Sequence, residues 1–206
     1  MKVEKLEEIV KAKYAPDFLQ AVDQAEYEAI VWKHNYIGTE HLVRGLARQP
    51  LPIWDRLTLL TGEELRRQVL SATTYIMGKG DIPVVGEPGL TPRGKRVIEL
   101  AVDESRKVNS PEVGSNHLLI GLVREGEGIA WGVLDSLGIG LEVARTRVET
   151  ARRSDSRKNT VVLSRLSNLL TDKAIPGEAR HRLLLALERE AEQMELIRDL
   201  TQNNQP

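Results

Sequence analysis

Ile37-Gly38-Thr39-Glu40-His41-Leu42-Val43-Arg44-Gly45-Leu46-Ala47-Arg48 returns further along the chain as Val113-Gly114-Ser115-Asn116-His117-Leu118-Leu119-Ile120-Gly121-Leu122-Val123-Arg124. Six of the twelve positions are identical, at an offset of 76 residues. The same offset holds upstream. Phe18, Ala21, Val22, Ala25, Ala29 and Trp32 mark one face of a helix by their 3–4-residue spacing, and Gly94, Val97, Ile98, Ala101, Ser105 and Val108 follow at the matching positions. Downstream, Ile53 and Leu57 map onto Ile129 and Val133. One duplication accounts for the motif and the periodicity together.

Each copy reads as four helices, expected near 16–33, 39–48, 51–60 and 62–76, then near 92–108, 116–124, 128–137 and 140–152. Thr91-Pro92 joins an N-cap to a proline at the first helical position, where the missing N–H is not needed. Thr61 and Glu64 have capping-box spacing, and Gly138 stands where a helix end uses positive φ. Thr39 and Ser115, each after a glycine, are expected to cap the second helix of their copies. Val3, Leu6 and Val10 mark a leading helix over 1–13. The repeat domain then spans 14–152, as copy one (14–77), a glycine- and proline-rich linker (78–90) and copy two (91–152). Beyond it, 153–206 reads as a helical hairpin. A polar, mostly basic joint at 152–158 precedes it, and Leu183, Leu184, Leu187, Ala191, Met194, Ile197 and Leu200 follow near-heptad spacing. The fold class expected is all-α.

Composition narrows the chemistry. In 206 residues, 29 Lys+Arg against 30 Asp+Glu leave a net charge of −1, so no bulk attraction to nucleic acid is expected. The absence of cysteine removes disulfides, thiolate metal sites and Cys nucleophiles. Neither a signal peptide nor a membrane-length apolar run is evident, which points to a cytoplasmic protein. Gly89-Leu90-Thr91-Pro92-Arg93-Gly94-Lys95-Arg96 imitates a P-loop but ends in Arg where Ser or Thr must ligate Mg²⁺, and the 76-residue register places Gly94 inside a helix. No cofactor, metal or catalytic constellation is expected, since His41 and His117 lack a second ligand at i+4.

The duplicated G-[TS]-x-H-L-x-x-G-L-x-R motif, followed in copy two by Glu125-Gly126-Glu127-Gly128-Ile129-Ala130, resembles the Clp amino-terminal domain of ClpC- and ClpA-type unfoldases. The resemblance covers residues 14–152. It implies a double four-helix, non-enzymatic domain that recognises substrates and adaptors, with a Clp ATPase, its protease or client proteins as partners. The module would here stand without the ATPase that usually follows. The terminal hairpin would dock a partner or form a homodimer, with Leu187 and Met194 in its seam. A structural protein or regulator no longer tied to Clp is the alternative.

The resemblance also implies a site. In the ClpC branch the Thr-Glu of each motif reads phosphorylated arginine, with helix N–H groups on the phosphate and a carboxylate on the guanidinium. Copy one keeps Thr39 and Glu40; copy two has Ser115 and Asn116, without the carboxylate. As plain helix chemistry, the same hydroxyls are only N-caps and Glu40 only favourable at the helix dipole. Gly38, His41, Gly114 and His117 are expected to be structural, and His34 stands in no constellation. Trp32 lies on the core stripe, and Trp131 is a candidate contact residue.

Overall fold

Pro16, with φ already set for a helix and no N–H to satisfy, opens α1 (Pro16–Val31). The computed structural model describes Leu6 and residues 9–151, all within the compact unit Met1–Arg152. After α1 come β1 (Tyr36–Ile37), α2 (Thr39–Ala47), α3 (Trp54–Leu57) and α4 (Gly62–Ile76). The second copy supplies β2 (Gly89–Leu90), α5 (Pro92–Lys107), α6 (Ser115–Glu125) and α7 (Ile129–Ser136), and residues 141–151 form a further helix, α8. The class is all-α. The leading helix, the 152–158 joint and the hairpin with Leu187 and Met194 fall wholly or mostly outside the described residues; of the leading stripe, Leu6 is buried and Val10 half-buried.

The predicted caps form. Thr91 Oγ1 accepts from the Gly94 N–H at 3.0 Å and Thr61 Oγ1 from the Glu64 N–H at 3.2 Å, each satisfying an otherwise orphaned donor. Gly138 has φ +77°. Thr39 and Ser115 are not caps. Gly38 and Gly114 hold that position, and the third residue of each helix reaches back: the Gly38 N–H donates to His41 Nδ1 (3.0 Å) and the Gly114 N–H to His117 Nδ1 (2.9 Å). The imidazoles take the role a capping-box Glu would fill, which frees both hydroxyls for other partners. The expected 51–60 helix shrinks to the four residues of α3: Pro52 disfavours helical backbone at Leu51, and Thr58 is extended and ends the helix.

The core is the predicted stripe doubled. Phe18, Ala21, Val22, Ala25 and Ala29 are fully buried, as are Val97, Ile98 and Ala101, while Val108 is exposed. Trp32 departs from its expectation. It ends α1 half-buried, with the Arg44 guanidinium 5.2 Å from its ring centroid. α1 packs along α2, and α5 along α6, at glycine contacts. A Cβ on Gly45 would strike the Ala21 carbonyl and lie 2.6 Å from the Ala25 N; on Gly121 it would lie 2.6 Å from the Val97 carbonyl and 3.1 Å from the Ala101 N. All three positions correspond at 76 residues.

The copies also exchange backbone. β1 pairs in parallel with β2, Ile37 opposite Leu90, and the Thr91 N–H donates to the Ile37 carbonyl at 3.0 Å. At the corresponding positions Tyr14 bridges Val113, and the Ala15 N–H donates to the Val113 carbonyl at 3.0 Å. The residue before each motif helix is thus held by the segment leading into the other copy's first helix. These short pairings leave the helical class unchanged but place each motif-helix start beside the opposite copy.

Candidate functional site

The start of α2 lies in a groove of about 490 Å³ lined by Gly38, Thr39, Glu40, Thr91, Pro92, Arg93, Glu127, Gly128 and Ile129. The starts of α2, α5 and α7 converge there, so backbone donors from both copies share one wall. Thr39 is buried, and its Oγ1 accepts weakly from the Ala130 N–H at 3.4 Å. The Glu40 N–H and the Thr39 hydroxyl lie beside the Glu40 carboxylate and favour its charged form. That carboxylate folds back over Gly38, whose missing Cβ makes room for it. Burial raises the Glu40 carboxyl above its ordinary pKa, against the opposing pull of those two donors and of His34.

Arg93 spans the rim, donating to Glu125 and Glu127 at 2.7 Å each. Glu125 in turn accepts from the Gly128 N–H at 2.7 Å and fixes the turn into α7. A side chain at Gly128 would run into the Thr39 hydroxyl, so this close approach requires glycine. The groove therefore combines backbone donors and one arginine with the carboxylates of Glu40 and Glu127.

Behind Glu40 runs a histidine relay. His41 Nδ1 accepts from the Gly38 N–H, so a neutral His41 carries its proton on Nε2, which lies 2.8 Å from His34 Nδ1. His34 Nε2 then donates to the Gly78 carbonyl at 2.7 Å. One choice of tautomers satisfies all three bonds. Burial first, and the nearby Arg44 charge, depress His41 to about 3. It is neutral at physiological pH, so its 3.5 Å approach to Glu40 is no ion pair. His34, read from sequence as isolated, is the bond partner of His41. His34, Glu40 and His41 offer ligand atoms within 4.8 Å of one another, but both nitrogens of His41 are engaged in this relay.

The start of α6 is built differently. Its first two residues are Ser115, buried, and Asn116, half-buried. The Ser115 hydroxyl donates to Asp17 Oδ2, and its N–H donates to the same oxygen at 3.2 Å. Asp17 belongs to the first turn of α1. Burial depresses His117 as it does His41, in the direction of the neutral ring. The sequence reading missed Asp17, Arg93, Glu127 and the relay. A signal for the first two was present: Asp17 and Arg93 occupy equivalent positions with opposite charge. Trp131 is 36% exposed and does not line the groove; the Nε1 of Trp54, fully buried, has no bonding partner among the described residues.

Charge burial also distinguishes the copies. Glu28, 1% exposed, binds Arg44 and Arg48 at 2.6 Å each. Burial would raise its carboxyl, but the two arginines outweigh that and hold it below the usual range. Arg44 also donates to Thr73 and Thr74 of α4 at 2.9 Å. The equivalent Glu104 uses half-exposed Lys107, Arg124 and Arg145.

The family model of the Clp repeat N-terminal domain matches residues 13–137 and again 89–168. The chain is 38% identical to the Bacillus subtilis negative regulator of genetic competence ClpC/MecB over 71% of its own length and 19% of that protein's. It is 31% identical to a Guillardia theta protein described as a ClpA homolog of the ATP-binding Clp protease subunit, over 81% of this chain and 21% of that one. The chain spans about a fifth of the length of such relatives. Among solved structures, the N-terminal domain of Arabidopsis thaliana ClpD aligns with a TM-score of 0.53 at 22% identity, covering 68% of this chain and 95% of that domain. The Candida albicans Hsp104 N-terminal domain aligns at 0.57 with 13% identity, over 68% and 91%. Among the described residues, no helix is long and apolar enough to cross a membrane. With motif, duplication and fold in agreement, the chain belongs to the Clp repeat N-terminal domain family.

Proposed function

We propose that this chain is a non-enzymatic recognition module that receives segments of client or adaptor proteins in the groove beside α2, in the service of a Clp ATPase–protease. The groove carries this reading. It is open, it is built by both copies, and among the described residues no cationic side chain is bonded to its buried Glu40 carboxylate. A ligand cation would relieve what burial costs that carboxylate.

Phosphoarginine is the ligand we favour, for one specific reason. It carries an anion and a guanidinium on one short side chain, and the groove offers converging helix starts for the first and Glu40 for the second. The test is binding of the full chain to an arginine-phosphorylated unfolded protein and to its unphosphorylated form. Preferential capture of the phosphorylated form, lost in Glu40→Gln, is the expected result. Equal binding of both would keep the client groove but remove phosphoarginine as its mark. Binding of neither would end both readings.

A further inference from the structure

We propose that the chain has one ligand site and not two, because Asp17 serves as a built-in ligand that closes the second motif-helix start. This rests on the groove beside α2 being the recognition site. The duplication makes the two starts directly comparable, position by position, and five corresponding pairs differ.

Ser115 matches Thr39, and its hydroxyl and N–H are both turned onto the Asp17 carboxylate. Asp17 therefore fixes an anion from another helix on that N–H, whereas at the first start the carboxylate beside the Glu40 N–H is the helix's own. At the position equivalent to Asp17, the first start has Arg93, drawn onto Glu125 and Glu127 and leaving the α2 start to Glu40. Asn116 matches Glu40, so the second start has no carboxylate of its own for a guanidinium. Both Asp17 oxygens are already engaged, Oδ2 by Ser115 and Oδ1 by the Phe18 N–H at 2.8 Å.

The segment that corresponds in sequence to the loop over Thr39 differs as well. Ala130 offers its N–H to Thr39, whereas the equivalent Trp54 spends its N–H on the Leu51 carbonyl at 3.1 Å. By the 76-residue register Pro52 corresponds to Gly128, whose missing side chain allows the close approach to Thr39, and the fully buried Trp54 corresponds to Ala130. At the second start itself, Asp17 takes up the Ser115 hydroxyl and N–H, and Asn116 removes the helix's own carboxylate. Together they turn a potential binding element into a cross-copy clasp between α1 and α6.

The experiment is calorimetric titration of the full chain with free phosphoarginine, for the wild type, Glu40→Gln, and the double variant Asp17→Asn/Asn116→Glu. Far-ultraviolet circular dichroism would check the fold of each. The wild type should bind one equivalent, and Glu40→Gln should lose at least tenfold in affinity. The double variant should gain heat from a second, weaker equivalent. Two equivalents in the wild type, or one that survives Glu40→Gln unchanged, would overturn the single-site inference and leave the phosphoarginine reading standing. No heat from the wild type would overturn that reading and this inference with it. A well-folded double variant still binding one equivalent would overturn the role given to Asp17.

Discussion

At the start of α2 the carboxylate comes from the helix itself, as Glu40; at the start of α6 it comes from Asp17, 98 residues earlier in the chain. The first arrangement buries an acid in a groove shared with Arg93 and Glu127, and burial raises its pKa. The second pairs an acid with a serine hydroxyl and N–H and ties two helices together. Duplication makes this division possible. Once one copy presents the groove, the other can spend the same backbone geometry on holding the fold. Departures from ideal stability are expected where function is kept, and satisfied polar groups where it is not.

The same contrast runs through the buried acids and gives the largest expected effect. Glu28→Ala leaves Arg44, 4% exposed, as an uncompensated buried charge and should cost about 3–5 kcal/mol. Glu104→Ala should cost less, because side-chain exposures of 27% and 35% let Arg124 and Arg145 return to water. Urea denaturation of both variants measures the gap; equal losses would break the distinction between the copies. Next in size are the helix-packing glycines. Gly45→Ala forces a methyl into the α1 backbone and should lose about 1–3 kcal/mol or more, with Gly121→Ala smaller because its contacts are looser. Thermal melts of the pair rank them.

Acid should weaken the fold through the motif histidines. His41 binds a proton near 3 in the folded chain but near 6.5 when unfolded, so between those values the unfolded chain holds the extra proton. Stability is therefore fully present above about 6.5 and lost as pH falls toward 3, by about 1 kcal/mol per pH unit. His117, also depressed, adds in the same direction. Glu40 acts with the opposite sign: its raised pKa favours the folded, protonated form on acidification and partly offsets the histidines. Denaturation midpoints should fall between pH 7 and 5. The smallest effect is Glu40→Gln itself at pH 7. It removes a buried charge but keeps an amide oxygen for the Thr39 hydroxyl and the Glu40 N–H, so stability should hold or rise slightly while ligand binding falls.

The repeat, the core stripe and the caps at Thr61 and Thr91 are legible in sequence because each depends on residues within about one helical turn or on a fixed periodicity. The duplicated motif likewise locates Thr39, Glu40 and their counterparts. The partners of those residues depend on tertiary approach. Asp17 reaches Ser115 across most of the domain, and His34 meets His41 only after the chain turns at Lys33, with φ +58°. The capping role assigned to Thr39 and Ser115 fails for a local reason: a histidine three residues after a glycine can bond that glycine's N–H, a geometry the serine-and-threonine rule does not anticipate. Trp32 misses the core because the stripe ends with the helix, and Arg44 is the side chain that meets it there.

The central claim is that the two copies have divided recognition and architecture between them. Amide chemical shifts of the full chain during titration with a short arginine-phosphorylated peptide test it most directly. Thr39, Glu40, Arg93 and Gly128 should move together along one saturable curve while Gly114 and Ser115 stay in place. Movement of Ser115 on the same curve as Thr39, or no movement around the α2 groove at all, would contradict it.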